Sequence, residues 1–304
     1  MKKKVTRDSI VVITGASTGI GRATALQFSR ARPHLVLIAR QIEKLQQVAR
    51  DCELFGATTE IHSLDVADGE KMTELARDIV RATGRIDVWI NNAGVGVVGS
   101  FTEVPLEDHR RVIETNVIGT MNGSHAALEV FKRQGSGTLI NVASISSRLP
   151  TPIIGSYIAS KFAIRGLSQS LRQDLAVEGY KDIHVCQVNP SVVDTPAFEH
   201  TANYSGRPIK LQFPMATSQQ VAQKIANLVE HPRAEVFVGP LSGLGSFAYT
   251  WFPSLTAKVV TWGAKRFYLG EGKGNASSKG NLFQPVKDSS STSGGWKSGE
   301  TTQA

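Results

Sequence analysis

A chain of 304 residues, 41% of them hydrophobic, can bury a full α/β core and carry an appendage besides. Its two cysteines, Cys52 and Cys186, lie far apart in neither a CxxC nor a metal-ligand spacing, which excludes a disulfide framework and fits a reducing, cytosolic setting. The net charge of +8 excludes a nucleic-acid surface, because residues 246–304 set seven Lys/Arg against Glu271, Asp288 and Glu300 and so hold half of the excess, while the rest is spread without a basic and aromatic cluster. The lysine-rich start runs into a strand over 9–14, whose apolar run is far shorter than the ~7–15 residues of a secretory core. A helix over 19–32 follows, then strand 35–39, helix 41–55, strand 58–63, helix 68–83 and strand 88–91. Next come a bent helix or helix pair over 105–134, strand 137–142, helix 156–178, strand 184–188, helix 218–230 and strand 235–238. Short Val/Ile/Leu runs alternating with longer helical patterns predict a doubly wound, mostly parallel, seven-stranded α/β sheet with helices on both faces, Rossmann-like, over residues 1–245.

Past Gly239 the pattern changes. Residues 246–270 read as an amphipathic extension, and the aromatic stretch 241–269 with Lys258, Lys265 and Arg266 is too interrupted to span a membrane. It suits docking on the body, on a second subunit or on a membrane interface, and the three remain open. Residues 271–304, rich in Gly, Ser, Lys and Asn, hold too little apolar surface to offset ordering entropy, so a disordered, dispensable tail is expected.

Doubly wound sheets bind ligands at the carboxyl ends of their strands. The first strand runs into Thr14-Gly15-Ala16-Ser17-Thr18-Gly19-Ile20-Gly21-Arg22. Glycines at a strand-to-helix turn let backbone approach a pyrophosphate, and the helix N-terminus supplies N–H donors and a positive dipole. The second strand ends in Ile38-Ala39-Arg40, with no acid before Glu43 to accept from an adenosine ribose. Arg40 offers a planar charged fork suited to a 2′-phosphate, with Ser17 and Thr18 as further donors, so NADP(H) is expected over NAD(H). Tyr157 and Lys161 share a face of one helix, where an ammonium pulls a phenol down from its reference pKa of ~10 and makes it fit for proton transfer. Ser144, just past a strand end, is placed to hydrogen-bond a substrate oxygen where charge develops.

The GxxxGxG spacing, with Ile20 between the last two glycines, resembles the short-chain dehydrogenase/reductase family rather than the commoner GxGxxG fingerprint. The resemblance extends over roughly 8–240, through Leu64-Asp65-Val66, Asn91-Asn92-Ala93-Gly94, Asn116, the set Ser144, Tyr157 and Lys161, and Asn189-Pro190-Ser191-Val192-Val193-Asp194-Thr195-Pro196. It implies that Tyr157 exchanges a proton with a carbonyl or alcohol oxygen, Lys161 tunes it and holds the nicotinamide ribose, Ser144 positions substrate, and Asn116 supports a water link to Lys161. It implies cofactor contacts from Gly15, Ser17, Thr18, Gly19, Ile20, Gly21, Arg40, Asp65, Val66, Asn92, Ala93, Gly94, Tyr157, Lys161, Pro190, Val192 and Thr195. It also implies a homodimer or homotetramer packed through the helices that carry Asn116 and Tyr157. One departure is Ser191, where the family usually has glycine; a positive φ there would strain the loop.

Seven dispersed histidines support no metal site, and Ser144 lacks a Gly-x-Ser-x-Gly setting, against an esterase. Phe198, Tyr204, Ile209, Leu211 and Phe213 in the stretch after Thr195 point to a substrate lid for an apolar small molecule. The competing reading is a nucleotide-binding regulatory or scaffold protein of the same fold, which loss of Tyr157 or Lys161 would have favoured.

Overall fold

The structure, a computed structural model, describes residues 4–211, 214–240, 242–267, 269–270, 277–286 and 290–296. Its centre is a seven-stranded sheet in which every neighbouring pair is parallel. Across it the strands run Thr58–Ser63, His34–Ala39, Ile10–Thr14, Val88–Asn91, Gly137–Val142, Ile183–Pro190 and Glu235–Val238. Alternation along each strand explains why helices must cover both faces. Val11, Ile13, Leu35, Leu37, Val88 and Ile90 enter one buried cluster, whereas Val12, Val36, Ile38 and Trp89 enter the other. Successive strands are added outward on one side of Ile10–Thr14 and then on the other side of it. The two directions part between Thr14 and Asn91, which opens a crevice at those carboxyl ends.

The sequence leaves 105–134 as two helices or one bent one, and a continuous helical run with a π-helical turn inside it forms. Leu106–Ile113 passes through a π-helical turn, Glu114–Ile118, into Gly119–Gln134, and the π turn carries Asn116. Such turns concentrate at functional sites because they swing one side chain out of helical register.

The extension begins at Ser242, inside the expected 1–245 domain, and forms two helices, Ser242–Trp251 and Pro253–Phe267. The first packs small residues inward: Ser242 and Ser246 are buried, Ser242 Oγ donates to Gly239 O at 2.9 Å, and Gly245 faces Leu149. Phe247 and Trp251 are exposed, and Tyr249 is half-buried. Residues 277–286 and 290–296 require a correction, since they lie along the body rather than free of it. Main-chain and serine hydrogen bonds, with Leu282 fully buried, supply what the low apolar content does not.

Candidate functional site

The glycine turn is built for close approach. Gly15 and Gly19 have φ of +64° and +53°, and a Cβ on Gly21 would stand 2.0 Å from Gly15 O. Thr18 is the extended N-cap of helix Gly19–Ser29 and makes no side-chain cap, which leaves the first N–H groups facing the crevice. Gly19 N–H donates to a carbonyl oxygen, that of Ser291, at 2.7 Å, while Ile20 packs against the core below. The turn is held from the neighbouring strand end. Asn92 Nδ2 donates to Thr14 O (3.0 Å) and Gly15 O (3.1 Å), and Thr14 Oγ1 accepts from Asn92 N (3.0 Å) and Ala93 N (3.1 Å). A Cβ on Gly15 would meet Ala93 Cα at 2.8 Å. A glycine turn of this shape, at the N-terminus of a helix, fits a pyrophosphate. Thr14 was not singled out in the sequence, where a threonine closing a strand carries no signal.

At the end of the second strand, Arg40 Nη1 donates to Leu282 O (2.9 Å) and Phe283 O (3.3 Å), and Nη2 to Asn281 O. Burial lowers the Arg40 pKa from its ordinary value, Asp65 opposes this, and Arg111 adds to it. Arg111 escaped the sequence reading. It pairs with Asp65 and donates Nε–H to Leu282 O at 3.0 Å, so two guanidinium groups face one spot. Burial would raise the Asp65 carboxyl, but Arg111 and the Ala67 N–H hold it below the usual carboxylate range. Val66 is buried against Gly119, where a Cβ would come within 2.5 Å of its Cγ2.

Tyr157, Lys161 and Ser144 come together beside this crevice. Helix Gly155–Val177 carries the first two, and Ser144 caps the short turn Ile145–Ser147 through its Oγ, which accepts from Ser146 N at 3.1 Å. Ser144 is also near enough to the Tyr157 hydroxyl to favour its ionised form. Lys161 is buried, donates to Val142 O at 3.0 Å and lies 5.5 Å from the Tyr157 ring centroid. The expected direction of the phenol shift is corrected here. Burial raises Tyr157 above its ordinary value, with Ser144 opposing, and burial pulls Lys161 down to about 8. The ammonium spends its contact on a carbonyl, not on the phenol. Ile153, two residues before this helix, has φ +62°, a strained position for a β-branched residue.

Asn116 is saturated by protein. Its Oδ1 accepts from Val95 N (2.8 Å), and its Nδ2 donates to Val95 O (2.9 Å) and Ser160 Oγ (3.0 Å). Ser160 Oγ in turn donates to Tyr157 O at 2.7 Å. Gly94 lies between the two sides, with its missing Cβ position 3.4 Å from Asn116 Oδ1 and 3.8 Å from Lys161 Nζ.

Pro190 ends strand Ile183–Pro190, and Val192 O accepts from Ala216 N at 2.9 Å. Ser191 has no positive φ, so the strain foreseen for it is absent. Its N–H donates to Val238 O at 2.8 Å, and its hydroxyl occupies the space that a Cβ on Gly239 would need. Thr195 and Asp194 are buried at the loop. Beneath it lies a polar network that sequence spacing does not announce. Glu235 takes Arg148 and Asn189 Nδ2 (3.1 Å), and Asn189 Oδ1 accepts from Ser147 Oγ (3.0 Å) and Gln187 Nε2 (2.7 Å). Of the lid residues, Leu211 is buried, Phe198 stands edge-on to Trp296, and Tyr204 donates to Asp108 Oδ2 at 2.6 Å; Phe213 lies outside the described residues.

A family model described as short chain dehydrogenase matches residues 9–204. The uncharacterized oxidoreductase YxnA of Bacillus subtilis is 31% identical over 262 residues, 86% of this chain and 73% of its own. An alcohol dehydrogenase from the archaeon Thermococcus sibiricus, solved with 5-hydroxy-NADP, superposes with a TM-score of 0.68 at 27% identity, covering 77% of this chain and 97% of its own. A short chain dehydrogenase from Mycobacterium paratuberculosis bound to NAD shares the fold, with a TM-score of 0.68 at 22% identity over 80% of this chain and 100% of its own.

Proposed function

Because this chain belongs to the short-chain dehydrogenase family, we propose that it is an NADP(H)-preferring oxidoreductase that interconverts a carbonyl and a secondary alcohol, with Tyr157 as proton donor and acceptor. The observation that carries the reading is the convergence on one crevice of the glycine cradle, the Tyr157–Ser144 hydroxyl pair and the buried Lys161. A nicotinamide dinucleotide bound there supplies hydride chemistry. In reduction, Tyr157 gives its hydroxyl proton to the substrate oxygen, and Ser144 donates a hydrogen bond to the same atom as charge develops. Lys161 places a positive charge near the phenol, and beside Gly94 it would hold the ribose of a bound dinucleotide. Asn116, with its polar atoms taken by Val95 and Ser160, is a positioning residue that ties the Gly94–Val95 corner to the helix of Tyr157. The test is a panel of carbonyl compounds and alcohols with both dinucleotides, followed by absorbance of the reduced nicotinamide. Turnover of an apolar carbonyl is expected; none across the panel despite tight dinucleotide binding favours the regulatory reading.

Preference for the phosphorylated dinucleotide rests on Arg40, which, with Arg111 beside it, meets no acid from the end of its own strand. Charge-assisted hydrogen bonds contribute about 1.5–3 kcal/mol, roughly ten- to a hundredfold in affinity. Arg40→Ala is therefore expected to erase most of the NADPH advantage in calorimetry and to leave NADH binding nearly intact. Equal affinities in the parent chain would contradict the assignment.

The extension favours a second contact, with an anionic membrane surface. Leu244, Phe247 and Trp251 on the first helix, and Leu255, Val259 and Trp262 on the second, are each more than half exposed at helical spacing. Residues 242–267 contain Lys258, Lys265 and Arg266 and no acid, and no helix of the described residues is long and apolar enough to cross a membrane. An apolar face with only basic charge suits an interface of anionic lipid. Vesicles containing phosphatidylserine should carry the protein down on sedimentation, vesicles of phosphatidylcholine far less. Trp251→Ser removes an aromatic whose burial is worth roughly 1.5–3 kcal/mol, so about tenfold weaker partitioning is expected. Absence of binding to the anionic vesicles contradicts this contact. Ile118, Met121 and Phe162 are also exposed, on the helices through which the resemblance expects a second copy to pack.

A further inference from the structure

The C-terminal segment follows the path a dinucleotide would take. At the adenosine end, the carbonyls of Asn281, Leu282 and Phe283 accept from Arg40, Arg111 Nε also donates to Leu282 O, and Lys44 Nζ donates to Val286 O at 3.0 Å. At the glycine turn, Ser291 O takes the Gly19 N–H at 2.7 Å and Ser290 Oγ donates to Ser17 O at 2.6 Å. At the nicotinamide loop, Asp194 accepts from Ser293 Oγ (2.7 Å), Gly294 N (3.0 Å) and Trp296 N (3.1 Å), and Trp296 Nε1 donates to Thr195 O at 3.2 Å. The segment is anchored at its start by Leu282, which is 0% exposed among Val95, Val97, Val104, Val112 and Ala202, and by Ser278, which pairs with Asn203.

We infer that residues 277–286 and 290–296 are an intrasteric occupant of the cofactor groove, and that dinucleotide and tail exclude one another. The reasoning is one of donor accounting. The Gly19 N–H and the Arg40 fork are buried or half-buried donors that require an oxygen partner, and a carbonyl offers them what phosphate would. The single Gly19 N–H cannot serve both occupants, and the three Arg40 donor hydrogens held by tail carbonyls are lost to a phosphate while the tail is in place. The segment draws its hold from these polar partners, with one apolar anchor, so it competes with a charged ligand without binding irreversibly. When only the tail-free fraction is competent, the apparent dissociation constant rises by the inverse of that fraction.

The inference rests on the dinucleotide reading of the groove, and the experiment separates the two. NADPH affinity is measured by titration calorimetry for the full chain and for a chain ending at residue 276. At least tenfold tighter binding is expected for the shortened chain. Leu282→Asp in the full chain, which removes the apolar anchor and leaves every groove residue in place, should tighten binding in the same direction should the shortened chain fail to fold. In parallel, trypsin cleavage after Lys279 in the full chain is expected to accelerate at least tenfold when NADPH is saturating, because the tail is displaced. Equal affinities of all three chains, or protection of Lys279 by NADPH, would overturn the tail inference and leave the dinucleotide reading intact. If no chain binds NADPH or NADH, the dinucleotide reading fails and the tail inference falls with it.

Discussion

Tyr157→Phe is expected to lower turnover at least a hundredfold while dinucleotide affinity and melting temperature stay close to those of the parent. The substitution keeps the ring in its half-buried place on helix Gly155–Val177 and removes one hydroxyl, whose loss costs at most one neutral hydrogen bond with the nearby Ser144. A neutral hydrogen bond of that kind contributes only about 0.5–1.5 kcal/mol to stability. Proton transfer by a positioned group is worth ~10²–10⁴ in rate, and a phenylalanine at this position has no proton to give. Steady-state kinetics on a substrate found in the panel, with calorimetry for dinucleotide binding, checks this; near-normal turnover in the variant contradicts the acid/base assignment.

Lys161→Met has an effect of comparable size with a different signature. Turnover is expected to fall by about two orders of magnitude, within the range assigned to acid/base assistance, and dinucleotide affinity falls with it because the ammonium also reaches the ribose. Stability moves the other way. Burial holds the Lys161 pKa at about 8, below the unfolded reference, so the folded chain binds fewer protons than the unfolded chain above that pH. The charged form therefore opposes folding most at neutral pH, and that opposition fades as the pH rises from about 8 toward the unfolded value. The variant should melt at or above the parent temperature at pH 7, and the difference should shrink at alkaline pH. A large loss of melting temperature at pH 7 contradicts the buried-charge account. The same group sets the pH dependence of reduction. With Tyr157 raised by burial, the proton donor persists well into alkaline solution, and activity should already fall as Lys161 loses its charge near 8.

Which parts of this were legible in the sequence follows from the range of the interactions. All seven strands form within two residues of their expected spans; the central ones are legible because strand burial writes itself into contiguous residues, while Thr58–Ser63 at the sheet edge is only partly buried. The end of strand Ile183–Pro190 was set two residues short, since a proline closes it. The glycine turn was legible because its constraint is local: Gly21 must lack a Cβ to pass Gly15 O. Arg111 and the Glu235 network were not, because each acts through partners distant in the chain, Arg111 on Asp65 and Leu282, and Glu235 on Arg148 and Asn189. Neither residue type is unusual on a helix or at a strand start. The tail was missed for a related reason. Composition measures what a segment can bury by itself, and residues 277–286 and 290–296 are held by polar partners that the rest of the protein leaves facing the crevice. The phenol was misjudged because helix spacing placed Lys161 beside Tyr157 without revealing that Val142 O takes the ammonium.

The most direct test of the account is isotopic. Reduced NADP carrying deuterium at C4 on its transferable face is mixed with the chain ending at residue 276 and a carbonyl substrate from the panel, and the alcohol product is analysed by mass spectrometry. The account predicts one deuterium on the carbinol carbon, none on oxygen after exchange with water, and at least a hundredfold slower labelling with Tyr157→Phe. Product without deuterium, or labelling at the parent rate in the variant, would contradict it.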